Sequence, residues 1–158
     1  MAMGARWTPL RHHIVQQAYL HSHHRFNVLP AGRRSGKTEL AKRKLTIKSF
    51  KGNDTGNARY FAAAPTRDQA KRIWWDDLKA LTNPALLAAR PSESDLMIPL
   101  VNGSQIWVVG LDRPERIEGT PWDYGVIDEV GNIKPDAWKL NIRPALSDRL
   151  GGCDFIGV

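Results

Sequence analysis

Cysteine is nearly missing from this 158-residue sequence. Cys153 stands alone, so no intramolecular disulfide can form and stability has to come from burial, as in proteins of a reducing compartment. Long apolar runs are missing too. Nothing approaches the roughly eighteen uninterrupted apolar residues that a membrane span needs, and the opening Met1-Ala2-Met3-Gly4-Ala5-Arg6 lacks a signal peptide's apolar core. Neither export nor membrane insertion is expected, and a cytoplasmic setting follows. Repeats, Ser/Gly linkers and biased tracts are not found, which removes solenoid and low-complexity classes. Acid is scarce at the front. Residues 1–50 hold Glu39 against ten Lys/Arg, a net +9, whereas residues 51–100 carry +1 and residues 101–158 carry −3.

What is present is one ordinary globular domain's worth of chain, 42% hydrophobic and 25% charged. The basic front end points to a polyanionic partner, either nucleotide phosphates or a nucleic-acid backbone. For Lys42-Arg43-Lys44 alone, a solvated helix face is the competing reading. The hydrophobic pattern alternates strands and helices, the signature of an α/β layer fold with a largely parallel sheet. A first helix is predicted from Pro9 to about Leu20, with Thr8 as N-cap. Phe26 to Ala31 reads as a buried strand, Gly32 to Gly36 as a turn, and Lys37 to about Ser49 as a helix. Ala58 to Ala64 is a second strand, stopped by Pro65.

Thr66 with Gln69 forms a capping box for a helix whose Ala70, Trp74, Leu78 and Leu81 share one face, which places Trp74 in the core and Trp75 at its edge. Asn102-Gly103 between two apolar runs predicts an antiparallel hairpin appended to the sheet. Tyr124 to Ile127 is a third short strand ending in Asp128-Glu129. Pro135 to about Leu150 carries helical stretches interrupted at Pro144, and Asp154 to Val158 forms a last strand. His12, His13, His21, His23 and His24 lack acidic or Cys partners at ligand spacing and read as solvated. Cys153 reads as packing.

The strongest chemical signal is Ala31-Gly32-Arg33-Arg34-Ser35-Gly36-Lys37-Thr38. It fits the phosphate-binding pattern of Ala/Gly, four residues, then Gly-Lys-Ser/Thr, and it follows an apolar strand and opens a helix. Backbone N–H groups and the helix dipole there would converge on a β-phosphate. Gly36 lets the backbone approach closely, Lys37 reaches the β- and γ-phosphates, and the Thr38 hydroxyl can ligate Mg²⁺. The second signal is Asp123-Tyr124-Gly125-Val126-Ile127-Asp128-Glu129, a strand delivering two carboxylates at its C-terminal end, where ligands of parallel sheets collect. Asp128 suits the magnesium shell opposite Thr38, and Glu129 suits the polarising of a water for attack on the γ-phosphate.

These elements in this order resemble the N-terminal ATPase of a tailed-phage terminase large subunit. The likeness is carried by Gly32 to Thr38, Ala63-Ala64-Pro65-Thr66 with Gln69-Ala70, Asn102-Gly103-Ser104, and Arg116-Ile117-Glu118-Gly119 before Ile127-Asp128-Glu129-Val130. The resemblance implies a three-layer P-loop NTPase fold of the ASCE/RecA-like type, with a mostly parallel sheet, an antiparallel hairpin and an incomplete sheet. It implies Walker A and Walker B elements, ATP and Mg²⁺ as cofactors, and a motor that drives double-stranded DNA into a procapsid in the bacterial host cytoplasm. A terminase small subunit, a portal and a homo-oligomeric ring are the implied partners.

By the same resemblance, Gln16, or its neighbour Gln17, matches an adenine-reading glutamine, and Arg33 or Arg34 a γ-phosphate-sensing arginine. Arg116 matches an arginine finger acting on a neighbouring subunit. Arg113 and Arg143 are rivals for that role, and a surface salt bridge to Glu115 or Glu118 is the plain alternative. The Thr66-Arg67 helix start resembles a nucleic-acid contact, and a simple cap explains it as well.

The pattern also departs from the family. The polar coupling motif after the last strand, the rest of the ATPase sheet and the C-terminal nuclease domain are missing, so residues 1–158 are expected to be a fragment in which ATP binding outlasts turnover. A helicase-type ATPase fragment and a non-catalytic nucleotide- or DNA-binding assembly module are the alternatives.

Overall fold

In the computed structural model, residues 14–32 and 35–157 are described. Among them the chain forms α1 (Ile14–Leu20), β1 (Phe26–Leu29), α2 (Lys37–Lys51), β2 (Arg59–Ala64), α3 (Arg67–Ala70), α4 (Asp76–Leu81), β3 (Met97–Pro99), β4 (Gln105–Gly110), β5 (Tyr124–Ile127), α5 (Arg143–Ser147) and β6 (Gly152–Ile156). The six strands make one sheet in the order β1-β6-β5-β2-β4-β3, parallel except for β3. β6, last in sequence, lies between the phosphate-loop strand and the Asp128-Glu129 strand.

The sheet is covered on both sides. Tyr60, Ala62, Tyr124, Val126 and Ile156 face α1, α2 and α3–α4, meeting Leu40, Ala41, Leu45, Trp74 and Leu78. Phe61, Ala63, Ile127 and Cys153 face the other way, against Ile117, Trp122, Ile142 and Leu146. Each fully buried large side chain of this kind contributes about 1.5–3 kcal/mol. The run Tyr60 to Ala64 is buried throughout because β2 has neighbours on both edges and layers on both faces.

Four sequence expectations need correcting or refining. β1 is not a buried strand: its exposure alternates, with Phe26 37% and Val28 64% exposed, because among the described residues it ends the sheet and pairs with β6 alone. The hairpin is not an appendage. β3 and β4 do pair antiparallel, but β4 also runs parallel to β2 over its whole length and so belongs to the main sheet. Pro144 does not stop its helix: the interruption there is a change of helix type, from a π-helical stretch Ala137–Ile142 to α5, with Pro144 in the first turn of α5. Lys42, Arg43 and Lys44 are neither solvated nor offered to a partner. All three are buried, Lys42 paired with Asp77 at 2.6 Å, Arg43 with Glu39 at 3.3 Å and Lys44 with Asp154 at 2.8 Å.

The helix after β2 starts as its sequence says. Thr66 accepts from the Gln69 N–H, and the Gln69 side chain accepts from the Thr66 N–H. A π turn, Lys71–Trp75, then joins α3 to α4 and resets the helical register, so the adjacent Trp74 and Trp75 both go inward. Their indole N–H groups donate to the Ala63 carbonyl at 3.1 Å and to Glu93 at 2.7 Å. Thr8, Pro9, His12 and His13 lie outside the described residues; His21, His23 and His24 are not buried.

Candidate functional site

The phosphate-loop segment leaves β1 at its C-terminal end and enters α2 through Gly36, whose φ of 76° is a left-handed conformation open to glycine at no steric cost. Arg33 and Arg34 fall outside the described residues. Gly32, Ser35, Lys37 and Thr38 are placed around the loop's two ends. The Lys37 ammonium donates to the carbonyls of Ala31 at 2.6 Å and Gly32 at 3.3 Å, folded back over the loop. The Ser35 hydroxyl is buried with no hydrogen-bond partner among the described residues. An unpaired buried hydroxyl is costly unless a ligand completes it.

Across the sheet, β5 delivers Asp128 at its C-terminal end, 6% exposed. The Thr38 hydroxyl donates to its Oδ2 at 3.2 Å, bringing together two residues ninety positions apart. Oδ1 accepts from the Glu129 N–H at 2.8 Å. Glu129 itself is half-buried and holds φ 53°, ψ 43°, a left-handed conformation that costs a non-glycine residue about 1–2 kcal/mol. Strain of that kind is kept where the surrounding structure demands a particular direction of the side chain.

Gln16 and Gln17 are separated by the fold. Gln17 is exposed, whereas Gln16 is half-buried and its amide donates to the Ser35 carbonyl at 3.2 Å. A cavity of about 300 Å³ opens beside it, lined chiefly by Val15, Leu29, Pro30, Ala31 and Leu40 and reaching Ser35 and Lys37. An apolar slot with a single amide at its edge and a hydroxyl and an ammonium at its mouth is suited to a ligand that is apolar and flat at one end and anionic at the other.

Arg116 is not brought to the Thr38–Asp128 pair. It is exposed on a short 3₁₀ turn, Pro114–Ile117, and makes no ion pair among the described residues, so the salt bridge to Glu115 or Glu118 is not formed. It lines a separate cavity of about 610 Å³ with Arg67, Trp107 and Gly110. Neither Arg113 nor Arg143 is buried. Arg67 spends one guanidinium N–H on the Ser94 carbonyl at 2.6 Å. Cys153 is buried as expected, and burial raises its thiol pKa well above the ordinary value.

Sequence reasoning missed a buried polar cluster behind the site. Asp154, fully buried on β6, accepts from Lys44, from the Tyr124 hydroxyl and from Asn27 at 2.7 Å. Burial pushes the Tyr19 and Tyr124 phenols well above their usual pKa, and the Asp154 charge pushes the same way. Burial, with Lys44 beside it, lowers the pKa of Lys48, whose ammonium sits 4.7 Å from the Tyr124 ring centroid. The signal was available as an acid inside the otherwise apolar Cys153 to Ile156. Gly157 was missed as well. With φ 71° it lies so close to the acidic pair that a Cβ would overlap Asp128 Oδ1 and stand 2.6 Å from the Glu129 nitrogen.

No protein-family profile matches the chain, and no curated protein does. Solved structures do. The large terminase ATPase domain of Thermus phage P74-26 is 25% identical with a TM-score of 0.79, covering 93% of this chain and 64% of that one. The large terminase of another thermophilic bacteriophage gives 15% and 0.72 over 90% of this chain and 38% of that one. The bacteriophage HK97 large terminase gives 16% and 0.69, over 94% and 33%. The chain therefore spans less than two thirds of the length of the structures it matches. By its open, mostly parallel sheet, its loop and its neighbours, the chain carries the fold of the phage large-terminase ATPase domains, a P-loop NTPase fold.

Proposed function

We propose that this chain binds and hydrolyses MgATP as the motor unit of a phage DNA-packaging terminase large subunit. The observation that carries the proposal is the meeting of the Thr38 hydroxyl with the Asp128 carboxylate beside the phosphate loop. Hard oxygen donors of this kind suit Mg²⁺, which uses one or two protein oxygens and completes its shell with water and phosphate. The unpaired Ser35 hydroxyl and the left-handed Gly36 make a cradle fit for phosphate oxygens. The second of the thermophilic-phage terminases above has been solved with ADP and with ATP-gamma-S, which supports nucleotide binding here.

In this reading Lys37 leaves the Ala31 and Gly32 carbonyls and pairs with the β- and γ-phosphates, and Arg33 or Arg34 senses the γ-phosphate. Thr38 and Asp128 hold the cation. Gln16 exchanges its bond to Ser35 for the adenine edge. Glu129, held by its strained backbone, orients and deprotonates the attacking water. Arg116 is exposed and away from its own chain's site, the placement needed by a group that acts on a neighbouring subunit in a ring. Translocation of double-stranded DNA, with a portal and a small subunit as partners in the host cytoplasm, is the function this motor would serve. Among the described residues no helix is long and apolar enough to cross a membrane.

The test is magnesium-dependent phosphate release with Glu129→Gln. Turnover is expected to fall by about 10²–10⁴-fold, while ATP affinity, measured by calorimetry, stays near that of the parent. Unchanged phosphate release removes Glu129 from the chemistry. Binding of DNA without ATP dependence, with no phosphate release by this chain or by an intact motor that contains it, identifies an assembly module instead.

A further inference from the structure

The buried Asp154 cluster lies outside the reaction centre, yet it touches every element that carries a residue of that centre. β1, which leads into the phosphate loop, contributes Asn27, whose amide donates to Asp154 Oδ1 at 2.7 Å. β5, which ends in Asp128 and Glu129, contributes the Tyr124 hydroxyl to Oδ2. α2, which begins with Lys37 and Thr38, contributes Lys44, about two turns further along the same face and 2.8 Å from Oδ2. α1 joins through Tyr19, three residues from Gln16 and so on the same side of its helix. The Lys44 ammonium sits 4.3 Å from the Tyr19 ring centroid, and the Tyr19 hydroxyl is buried without a hydrogen-bond partner among the described residues.

Among the described residues α1 has few other anchors. It buries Tyr19 and packs Leu20 partly against the core, while Ile14 and Val15 are 81% and 67% exposed. Seven residues do not hold a helix by themselves. A buried cation facing an aromatic ring gives a directional contact, stronger where water is excluded. The Lys44 ammonium is in turn held in place by a carboxylate with three donors on it.

We infer that Asp154 and Lys44 are positioning residues for base recognition, setting the stance of α1 so that the Gln16 amide lies at the edge of the apolar slot. Neither side chain lines that slot; they act through Tyr19. The inference rests on the nucleotide-binding reading above and adds a determinant of base selectivity to it.

The test compares Lys44→Met, Asp154→Asn and the double variant with the parent. Calorimetry measures MgATP, MgGTP and inorganic tripolyphosphate binding, and thermal unfolding is followed alongside. Either single variant leaves a buried charge without its partner and is expected to lose stability, whereas the double variant removes both charges and recovers much of it. Base selectivity is expected to behave otherwise. The double variant should bind tripolyphosphate as the parent does, yet its preference for ATP over GTP should fall by about tenfold, the worth of one well-placed hydrogen bond. Tyr19→Leu should lose the same preference and Tyr19→Phe, which keeps the ring, should retain it.

A folded double variant with the parent's ATP-to-GTP ratio overturns the inference and leaves the nucleotide site standing. A parent that binds tripolyphosphate but shows no base preference also overturns it alone. A parent that binds none of the three ligands overturns the nucleotide-site reading, and the inference falls with it.

Discussion

α2 and the helical run of residues 67–81 pack on the same face of the sheet and are held there by different physics. The second run buries Ala70, Trp74, Trp75, Leu78 and Leu81, an apolar stripe broken by no charge. α2 buries Lys42, Arg43, Lys44, Thr46 and Ser49 beside Leu40, Ala41 and Leu45. Apolar burial scales with area and is non-directional, so it fixes how firmly a helix is attached more than where each atom stands. Hydrogen bonds and ion pairs weaken steeply with distance and angle. The helix that begins with Lys37 and Thr38 is therefore positioned by contacts such as Lys42 to Asp77 and Lys44 to Asp154, while Thr46 and Ser49 bond back to its own backbone. The helix with no residue in the site is held chiefly by the contacts that supply bulk stability, with Asp77 as the far end of the Lys42 pair.

The comparison is tested most severely by Trp74→Ala. Removing a fully buried indole costs about 3–5 kcal/mol; the Ala63 carbonyl loses the indole N–H at 3.1 Å and keeps that of Asp128 at 2.9 Å. A large drop in the urea midpoint is expected, with the ATP-to-GTP preference of the folded fraction unchanged. Loss of base preference in this variant would mean that the apolar half also sets the geometry of the site, and the contrast between the helices would dissolve.

Legibility in the sequence divides along the same line. The strand at Tyr124 to Ile127, the capping box at Thr66 and the inward stripe through Trp74 and Leu78 follow from local pattern, and the structure has them within a residue or two. So does the pairing of Thr38 with Asp128, because both ends of it belong to a spaced motif with a mechanical reason. What local pattern could not give are the contacts between distant residues that carry no motif. Lys42 to Lys44 look like a solvated charge run because a lysine's partner, here Asp77 or Asp154, is invisible at long sequence separation. β1 looks buried because its composition cannot say that it ends the sheet. Glu129's left-handed backbone has no signature in a residue type that rarely adopts it.

A smaller effect is expected at the polar end. Gly157→Ala puts a methyl group where Asp128 Oδ1 and the Glu129 N–H lie, at a backbone φ of 71° that alanine tolerates poorly. The cost to stability should be about 1–2 kcal/mol. The more telling readout is the magnesium dependence of ATP binding, which should weaken by about tenfold if Asp128 is displaced by a few tenths of an ångström. Tripolyphosphate binding without metal should hardly change. If ATP affinity with and without magnesium falls equally, Gly157 serves folding alone and the positional reading of this half is wrong at its closest contact.

The smallest effect belongs to a carboxylate that decorates the apolar helix from outside. Glu93 accepts from Lys79 at 2.8 Å and from the Trp75 indole at 2.7 Å, and these bonds, Lys79's first, hold its pKa below the ordinary carboxylate range. A depressed folded-state pKa contributes stability above the unfolded pKa and loses it as pH falls through the folded one. Glu93 is exposed, so solvent screens the pair and the contribution is slight. Glu93→Gln keeps an acceptor for the indole and removes only the charge. The melting temperature of the variant should therefore lie just below the parent's at neutral pH, and the two curves should merge in acid. A gap as wide as that of Trp74→Ala, or one that persists below the carboxylate range, would mean that charge rather than area fastens residues 67–81 to the sheet.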